Sequence, residues 1–374
     1  MSTLWDTTGS DVVKALSSER RSAGALAFGL ALTLVVVTDQ QSVEEAEAAA
    51  TAAAAAHPCR LLMVIRRHVE APDPRLDAEV LIGGRLGPGE AVVMRMYGRL
   101  ALHAESVTLP LLAPDAPVVT WWHDAPPEKI AYDPLGVFAD RRITDVARCA
   151  DPMAALEQRA NDYAPGDTDL AWTRTTNWRS LIAAAFDSVT GRPTSAVVSG
   201  PRTPPSALLV GWLRSRLGID VTLNEARGKE ISSVTLKLDD GREVKLERAD
   251  NRSATLSLPD QGQRTQPLAS RDLGDLLAEE VRRLDDDEVY AESLGAWTGI
   301  EGLSKQSPFR THIWRDPAQE KAAEPDPPES PHGSTTPPAD APAAGSDQSS
   351  GNSSSPGEAE QSDEQPAEAG ADQG

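Results

Sequence analysis

Leu32-Thr33-Leu34-Val35-Val36-Val37-Thr38-Asp39 is followed by Ser42 and an alanine-rich run to Ala56, then by His57-Pro58-Cys59-Arg60-Leu61-Leu62-Met63-Val64-Ile65. The first apolar run, taken over residues 27–37, is uncharged and has a β-branched end over 32–37, as a buried strand should. Residues 42–56 have the strongest helix formers available, and Ser42 with Glu45 has the pattern of a capping box. His57-Pro58 stops that helix, since proline cannot continue it and restrains the residue before it. Residues 59–65 are again continuously apolar. Strand, helix and strand in this order predict a sheet with helices packed on it.

The same alternation continues outward. Residues 11–21 show one apolar side (Val12, Val13, Leu16) and predict a helix. Residues 78–82 and 91–97 read as a strand pair joined through Gly83, Gly84, Gly87 and Gly89. Residues 100–112 are expected as a helix and 118–122 as a third buried strand. A polar, proline-containing excursion runs over 123–145. Residues 151–163 are expected as a helix with Pro152 in its first turn. Pro165-Gly166 then breaks the chain. A second unit opens with an amphipathic helix over 177–188. It continues with a strand at 195–199, a proline-led helix at 204–217, and strands at 221–225, 232–238, 243–248 and 253–258. Asp240-Gly241 between two of these is a strong hairpin signal. Helices are expected over 270–284 and 287–294. The fold class is therefore α/β: an N-terminal α/β domain over 1–163, a C-terminal α/β domain over 164–302, and a disordered acidic tail over 303–374. The tail has almost no large apolar residue, so burial cannot offset an ordering cost of about 1–2 kcal/mol per residue.

The chain has 374 residues and a formal charge of −21. From residue 318 onward twelve Asp and Glu stand against the single Lys321, which is about half of that charge. The remainder is still acidic, which argues against nucleic acid as a partner. The pairs Arg20-Arg21, Arg66-Arg67, Arg141-Arg142 and Arg282-Arg283 are scattered and read as solvated faces. Two distant cysteines, Cys59 and Cys149, exclude a disulfide framework and a cysteine-only zinc site. Arg20-Arg21 before an uncharged stretch resembles an export signal. However, Asp6, Asp11 and Glu19 precede it, the run is short for a membrane span, and its end reads as a strand. A cytoplasmic location without membrane contact is expected.

No histidine falls at metal-ligand spacing with another, no serine sits in a nucleophile-elbow turn, and no dinucleotide glycine fingerprint follows the first strand. His123-Asp124 and Cys149 have the chemistry of a base and a nucleophile, but nothing in the sequence brings them together. Residues 83–89 lack the Lys-Ser/Thr of a phosphate loop and read as a hairpin turn. Ser199-Gly200-Pro201-Arg202-Thr203 joins a strand to a helix start. Free amides and Arg202 there suit an anion, with Ser199, Gly200, Arg202 and Thr203 as the candidates. The most distinctive stretch is Asp169-Leu170-Ala171-Trp172-Thr173-Arg174-Thr175-Thr176-Asn177-Trp178-Arg179, with two tryptophans and two arginines in a chain poor in aromatics. Trp and Arg dominate interface energetics. Asp169, Trp172, Arg174, Trp178 and Arg179 are therefore partner-binding candidates, and a brace at the domain junction is the structural reading of the same residues.

That stretch resembles the signature of the OpcA family of glucose-6-phosphate dehydrogenase assembly proteins. His57-Pro58-Cys59-Arg60, Trp121-Trp122, Asp133-Pro134-Leu135 and Asp140-Arg141-Arg142-Ile143-Thr144-Asp145 resemble the family as well, and the match runs to about Gly302. The resemblance implies two α/β domains, no catalytic activity and no cofactor. It also implies a role as an assembly factor and allosteric activator of glucose-6-phosphate dehydrogenase in the oxidative pentose phosphate pathway. Some members are associated with thiol redox control, which two cysteines support poorly. The competing reading is a regulatory module that binds a sugar phosphate or nucleotide at Ser199–Thr203 residues; an enzyme of another type is the third.

Overall fold

The computed structural model describes residues 1–23 and 30–315. The acidic tail beyond Arg315 and the start of the strand expected over 27–37 lie outside the described residues. Eight strands form the first sheet: β1 (Ser2–Leu4), β2 (Leu32–Asp39), β3 (Cys59–Arg67), β4 (Arg75–Ile82), β5 (Glu90–Tyr97), β6 (Val118–Trp122), β7 (Arg141–Thr144) and β8 (Asp167–Asp169). Their order is β1-β4-β5-β3-β2-β6-β7-β8. From β5 to β8 every neighbour is parallel, while β4 and β1 are antiparallel additions at one edge. The helix α2 (Val43–Ala56) carries the chain from β2 to β3 on one side, whereas β6 lies on the other side of β2. The strand order therefore reverses between β2 and β6.

Both faces of this sheet are buried, which is why β2 and β3 read as unbroken apolar runs. Leu34, Val36, Leu61, Met63 and Trp121 pack under α2 through Ala46, Ala49, Ala50 and Ala53. Val35, Val37, Leu62, Val64 and Trp122 face the other layer, where α1 (Gly9–Ala23) contributes Val12 and Leu16. The turns over 98–111 complete that layer with Ala101, Ala104, Val107 and Leu111. A helix was expected over 100–112. The chain instead makes two 3-10 turns around α3 (Glu105–Thr108), with Pro110 inside the second. The capping box does not form either. Ser42 makes no side-chain cap, and Asp39 Oδ1 accepts from the Gln41 and Ser42 amides at 2.7 and 2.9 Å. Glu45 instead pairs with Arg148.

Six strands form the second sheet: β9 (Pro193–Gly200), β10 (Asp220–Glu225), β11 (Ser233–Leu238), β12 (Glu243–Arg248), β13 (Ser253–Leu258) and β14 (Gly262–Pro267). Their order is β10-β9-β11-β12-β13-β14, with only β10 and β9 parallel. Between β6 and β9 come α4 (Pro134–Val137), α5 (Pro152–Asn161), α6 (Leu170–Thr173) and α7 (Thr176–Phe186); α8 (Pro204–Leu217), α9 (Leu273–Val281) and α10 (Glu288–Thr298) follow. One face of the second sheet packs on α7 and α8: Val198, Val234, Leu236 and Leu246 meet Ile182, Leu209, Val210 and Leu213. The opposite face alternates outward, with Thr235, Lys245 and Thr255 partly exposed.

Four strands had no legible signal: β1, β7, β8 and the polar edge strand β14. In β7 the pair Arg141-Arg142, read from sequence as a solvated face, is buried. Arg141 reaches Glu280 Oε2 at 2.7 Å, and Arg142 meets Asp167 together with the Ala139 and Pro165 carbonyls. The stretch 303–315, grouped with the tail in the sequence division, is held on the first half of the chain. Leu303 is buried, Arg310 pairs with Asp167, and the Ile313 amide donates to the Ala131 carbonyl at 2.9 Å. The described residues up to Arg315 form one compact unit. Within it α9 lies against α2, and Gly274 permits the approach, because a Cβ there would stand 2.6 Å from the Ala52 Cβ.

Candidate functional site

The Trp–Arg stretch forms the end of β8, the single turn of α6 and the start of α7. Asp169 is fully buried and caps α6 by accepting from the Ala171 amide at 2.8 Å. Its other oxygen accepts from the Thr144 hydroxyl at 2.6 Å and the Val146 amide at 3.0 Å. Burial and the neighbouring Asp145 carboxylate nevertheless push its carboxyl up to about 7. Asp145, also buried, receives both Arg174 terminal nitrogens at 2.7 and 2.8 Å. Trp172 lies among Tyr163, Leu208 and Tyr290 and donates its indole N–H to Asp287 at 2.8 Å. Arg179 stacks over Trp172 at 3.5 Å and bonds the Thr175 and Thr176 hydroxyls. Burial holds its guanidinium down to about 10. Trp178 is buried in the core of the second sheet.

All five partner-binding candidates thus meet at one junction, and each has its contacts within the chain. The junction also gathers residues that the sequence reading passed over. Glu280 on α9 takes Arg141 from β7 on one oxygen and the Thr173 hydroxyl on the other, both at 2.7 Å. Asp287 caps α10 while accepting from Trp172. Glu280 was legible in principle. It stands beside Leu276, Leu277 and Val281 on the apolar face of α9, where a carboxylate needs a buried cation.

Of the anion-binding candidates, Ser199 and Gly200 belong to β9 and are paired with their strand neighbours. Arg202 is half exposed, 3.8 Å from Glu225 and 5.6 Å from the Trp297 ring. Pro204 and Pro205 open α8, so its first two positions offer no amide to an anion. Thr203, the N-cap, lies instead on a cavity of about 350 Å³ that Arg174 and Trp178 also line. One anion-binding candidate, Thr203, thus meets two of the partner-binding candidates there, while Ser199, Gly200 and Arg202 do not line the cavity. Lys229, Arg248 and Arg271 complete its cationic wall.

In doubly wound sheets, ligands bind outside the carboxyl ends of the strands where the order reverses. Here that place lies between β2 and β6. Asp124 Oδ2 accepts from the Thr38 hydroxyl and the Asp39 amide, each at 2.9 Å, and His123 Nδ1 is 3.2 Å from Asp124 Oδ1. Burial alone would raise the Asp124 carboxyl, but hydrogen bonds from His123, Asp39, Ser42 and Thr38 outweigh it and hold it well below the usual range. The chain's own carboxylates thus take the amides at this position. Burial, followed by Asp169 and Asp145, pushes the Cys149 thiol up. Burial pushes Cys59 up to about 12. Among the described residues no group of three His, Cys, Asp or Glu is arranged to hold a metal ion, and no helix is long and apolar enough to cross a membrane.

Residues 50–161 match the family model for the glucose-6-phosphate dehydrogenase subunit N-terminal domain, and residues 165–294 match that for its C-terminal domain. The chain belongs to the OpcA glucose-6-phosphate dehydrogenase subunit and assembly family. The OpcA family also includes a similar curated protein of Synechococcus elongatus, described as a putative OxPP cycle protein OpcA. It is 31% identical over 152 residues, which is 37% of this chain and 34% of that relative's length. Solved structures resemble the fold only distantly. KijD10, a 3-ketoreductase from Actinomadura kijaniata, has a TM-score of 0.38 at 11% identity over 75% of this chain and 99% of its own. A dehydrogenase from Chromobacterium violaceum has a TM-score of 0.39 at 12% identity over 73% and 94%. Likeness this low does not bear on OpcA activity.

Proposed function

We propose that the chain is a non-catalytic assembly factor and allosteric activator of glucose-6-phosphate dehydrogenase. The observation that carries this reading is the pair of family models, which run through both sheets and the junction between them. The arrangement at the switch point supports a role without dinucleotide chemistry, since Asp124 and Asp39 occupy the amides that a phosphate would need. The Trp–Arg stretch contributes by fixing the two halves, its side chains being matched internally. The open, polar face of the second sheet, with Thr235 and Lys245, is the surface proposed to receive the dehydrogenase. Its composition suits a non-obligate interface, which is about as polar as ordinary surface.

Activation requires that the chain bind the active form of its partner more tightly than the inactive form. A tenfold gain in apparent substrate affinity needs about 1.4 kcal/mol of differential binding. The purified chain mixed with the dehydrogenase should co-elute with it and raise its rate at subsaturating glucose 6-phosphate. The chain alone should not oxidise that substrate. Separate elution with an unchanged rate would remove this reading.

A further inference from the structure

We propose that the cationic cavity beside the junction binds a small phosphorylated molecule. In a chain of formal charge −21, four cations from separate segments converge on it: Arg174 after α6, Lys229 between β10 and β11, Arg248 at the end of β12 and Arg271 before α9. Like charges brought together repel unless something negative stands among them. Three are held in place from within the protein. Asp145 grips Arg174, Glu279 grips Arg271, and Arg248 is fixed by the Ile231 and Leu268 carbonyls with Glu230 3.3 Å away. Asp145 and Glu279 do not line the cavity, so their charge lies behind the arginines, whereas Glu230 does line it, a carboxylate against four cations, and stands beside Arg248. Guanidinium groups fixed in this way are preorganised for phosphate oxygens.

A second observation is independent of the arginines. Among the described residues the Lys229 ammonium and the Asn177 amide make no hydrogen bond or ion pair, and both line the same cavity. The Thr203 hydroxyl meets only Ser206. Lys229 is exposed and Asn177 half-buried, so both present donors at the cavity mouth, where they and the arginines outnumber the Glu230 carboxylate. Trp178 and Leu268 supply an apolar wall for a carbon skeleton. The volume of about 350 Å³ is at the small end of ligand sites and suits a sugar phosphate or a free phosphate more than a dinucleotide.

The test is calorimetric titration of the full chain, without dehydrogenase, at low ionic strength. Its outcome is therefore separate from the assembly reading. The probes are inorganic phosphate and glucose 6-phosphate. Saturable binding of either is expected; tighter binding of the sugar phosphate assigns the carbon skeleton a share, and equal binding assigns the site to phosphate alone. Lys229→Glu and Asn177→Asp should each weaken binding about tenfold or more at an unchanged melting temperature, since neither side chain has a partner to lose. Lys237→Glu, on exposed sheet surface, makes the same charge change elsewhere and should bind as the parent does. No saturable heat up to about 10 mM of either probe would overturn the proposal. So would Lys229→Glu binding that equals the parent's, or a loss in Lys237→Glu of the same size.

Discussion

The two sheets differ in how many faces they bury, and that difference separates what holds the chain together from what it offers to others. In the first sheet both faces are covered, so its central strands are buried at nearly every position, and buried arginines such as Arg60 and Arg141 are matched by Glu90 and Glu280. In the second, helices cover one face, and residues of β11, β12 and β13 alternate between core and solvent. A buried arginine in the first sheet is fixed from across the molecule. A partly exposed arginine in the second, such as Arg242, is held at the surface by Asp240 of its own hairpin, Asp260 of the next turn and the Thr190 carbonyl. The first arrangement makes the halves depend on each other, and the second leaves a surface that can change without cost to the fold.

The sharpest break of this comparison is a pair of arginine truncations. Arg141→Ala leaves Glu280 buried without its cation and should cost about 3–5 kcal/mol in denaturant unfolding. Arg242→Ala, in the exposed pairs with Asp240 and Asp260, should cost about 0–1 kcal/mol. Similar costs at both sites would mean that Arg141 does not join the halves. Next in size is Gly274→Val, which forces α9 away from Ala52 and should cost about 1–3 kcal/mol through overpacking. A melting temperature equal to the parent's would show that α9 moves freely on α2.

The pH dependence of the junction is a separate effect. The folded carboxyl of Asp169, at about 7, lies above the ordinary unfolded value of about 3.9. A carboxyl that binds its proton more tightly when folded stabilises the fold most below the unfolded value. This contribution is lost as pH rises through the folded one. Between about pH 4 and 7 the parent should therefore lose stability relative to Asp169→Asn, which cannot titrate. Parallel stability curves for the two proteins would count against a raised carboxyl. The smallest effect on folding is expected on the open sheet face. Lys245→Glu should change stability by less than about 0.5 kcal/mol while weakening co-elution with the dehydrogenase. Unchanged co-elution would move the partner surface elsewhere.

Much of the fold was legible because burial on one face or two leaves different periods. Residues 32–37 and 59–65 announced covered strands, and β11 and β12 announced a half-covered pair with Gly241 at a positive φ in their turn. β7 was illegible for the opposite reason: Arg141 and Arg142 look solvated until Glu280 and Asp167 are placed beside them. β14, with the exposed sequence Gln-Arg-Thr-Gln, carries no apolar signal, because an edge strand is held by backbone bonds to β13 alone. The capping box does not form because Asp39 accepts from the Ser42 amide that Glu45 would have reached, and Glu45 pairs with Arg148 instead.

The candidate site divides in the same way. The unusual Trp–Arg stretch marked itself in the sequence, because two tryptophans and two arginines in eleven residues are visible without a structure. Its inward orientation was not, since the partners that satisfy it come from up to 115 residues away, as Asp287 does for Trp172. The sequence by itself determined the α/β elements, the acidic balance and the family signature, all of which depend on local composition and period. Only the tertiary structure decided that Arg174 faces Asp145, that Glu280 neutralises Arg141, and that Lys229 and Asn177 line one cavity. Charge pairing and cavity formation depend on distances through space, and no local pattern of residues encodes which distant side chains will be neighbours.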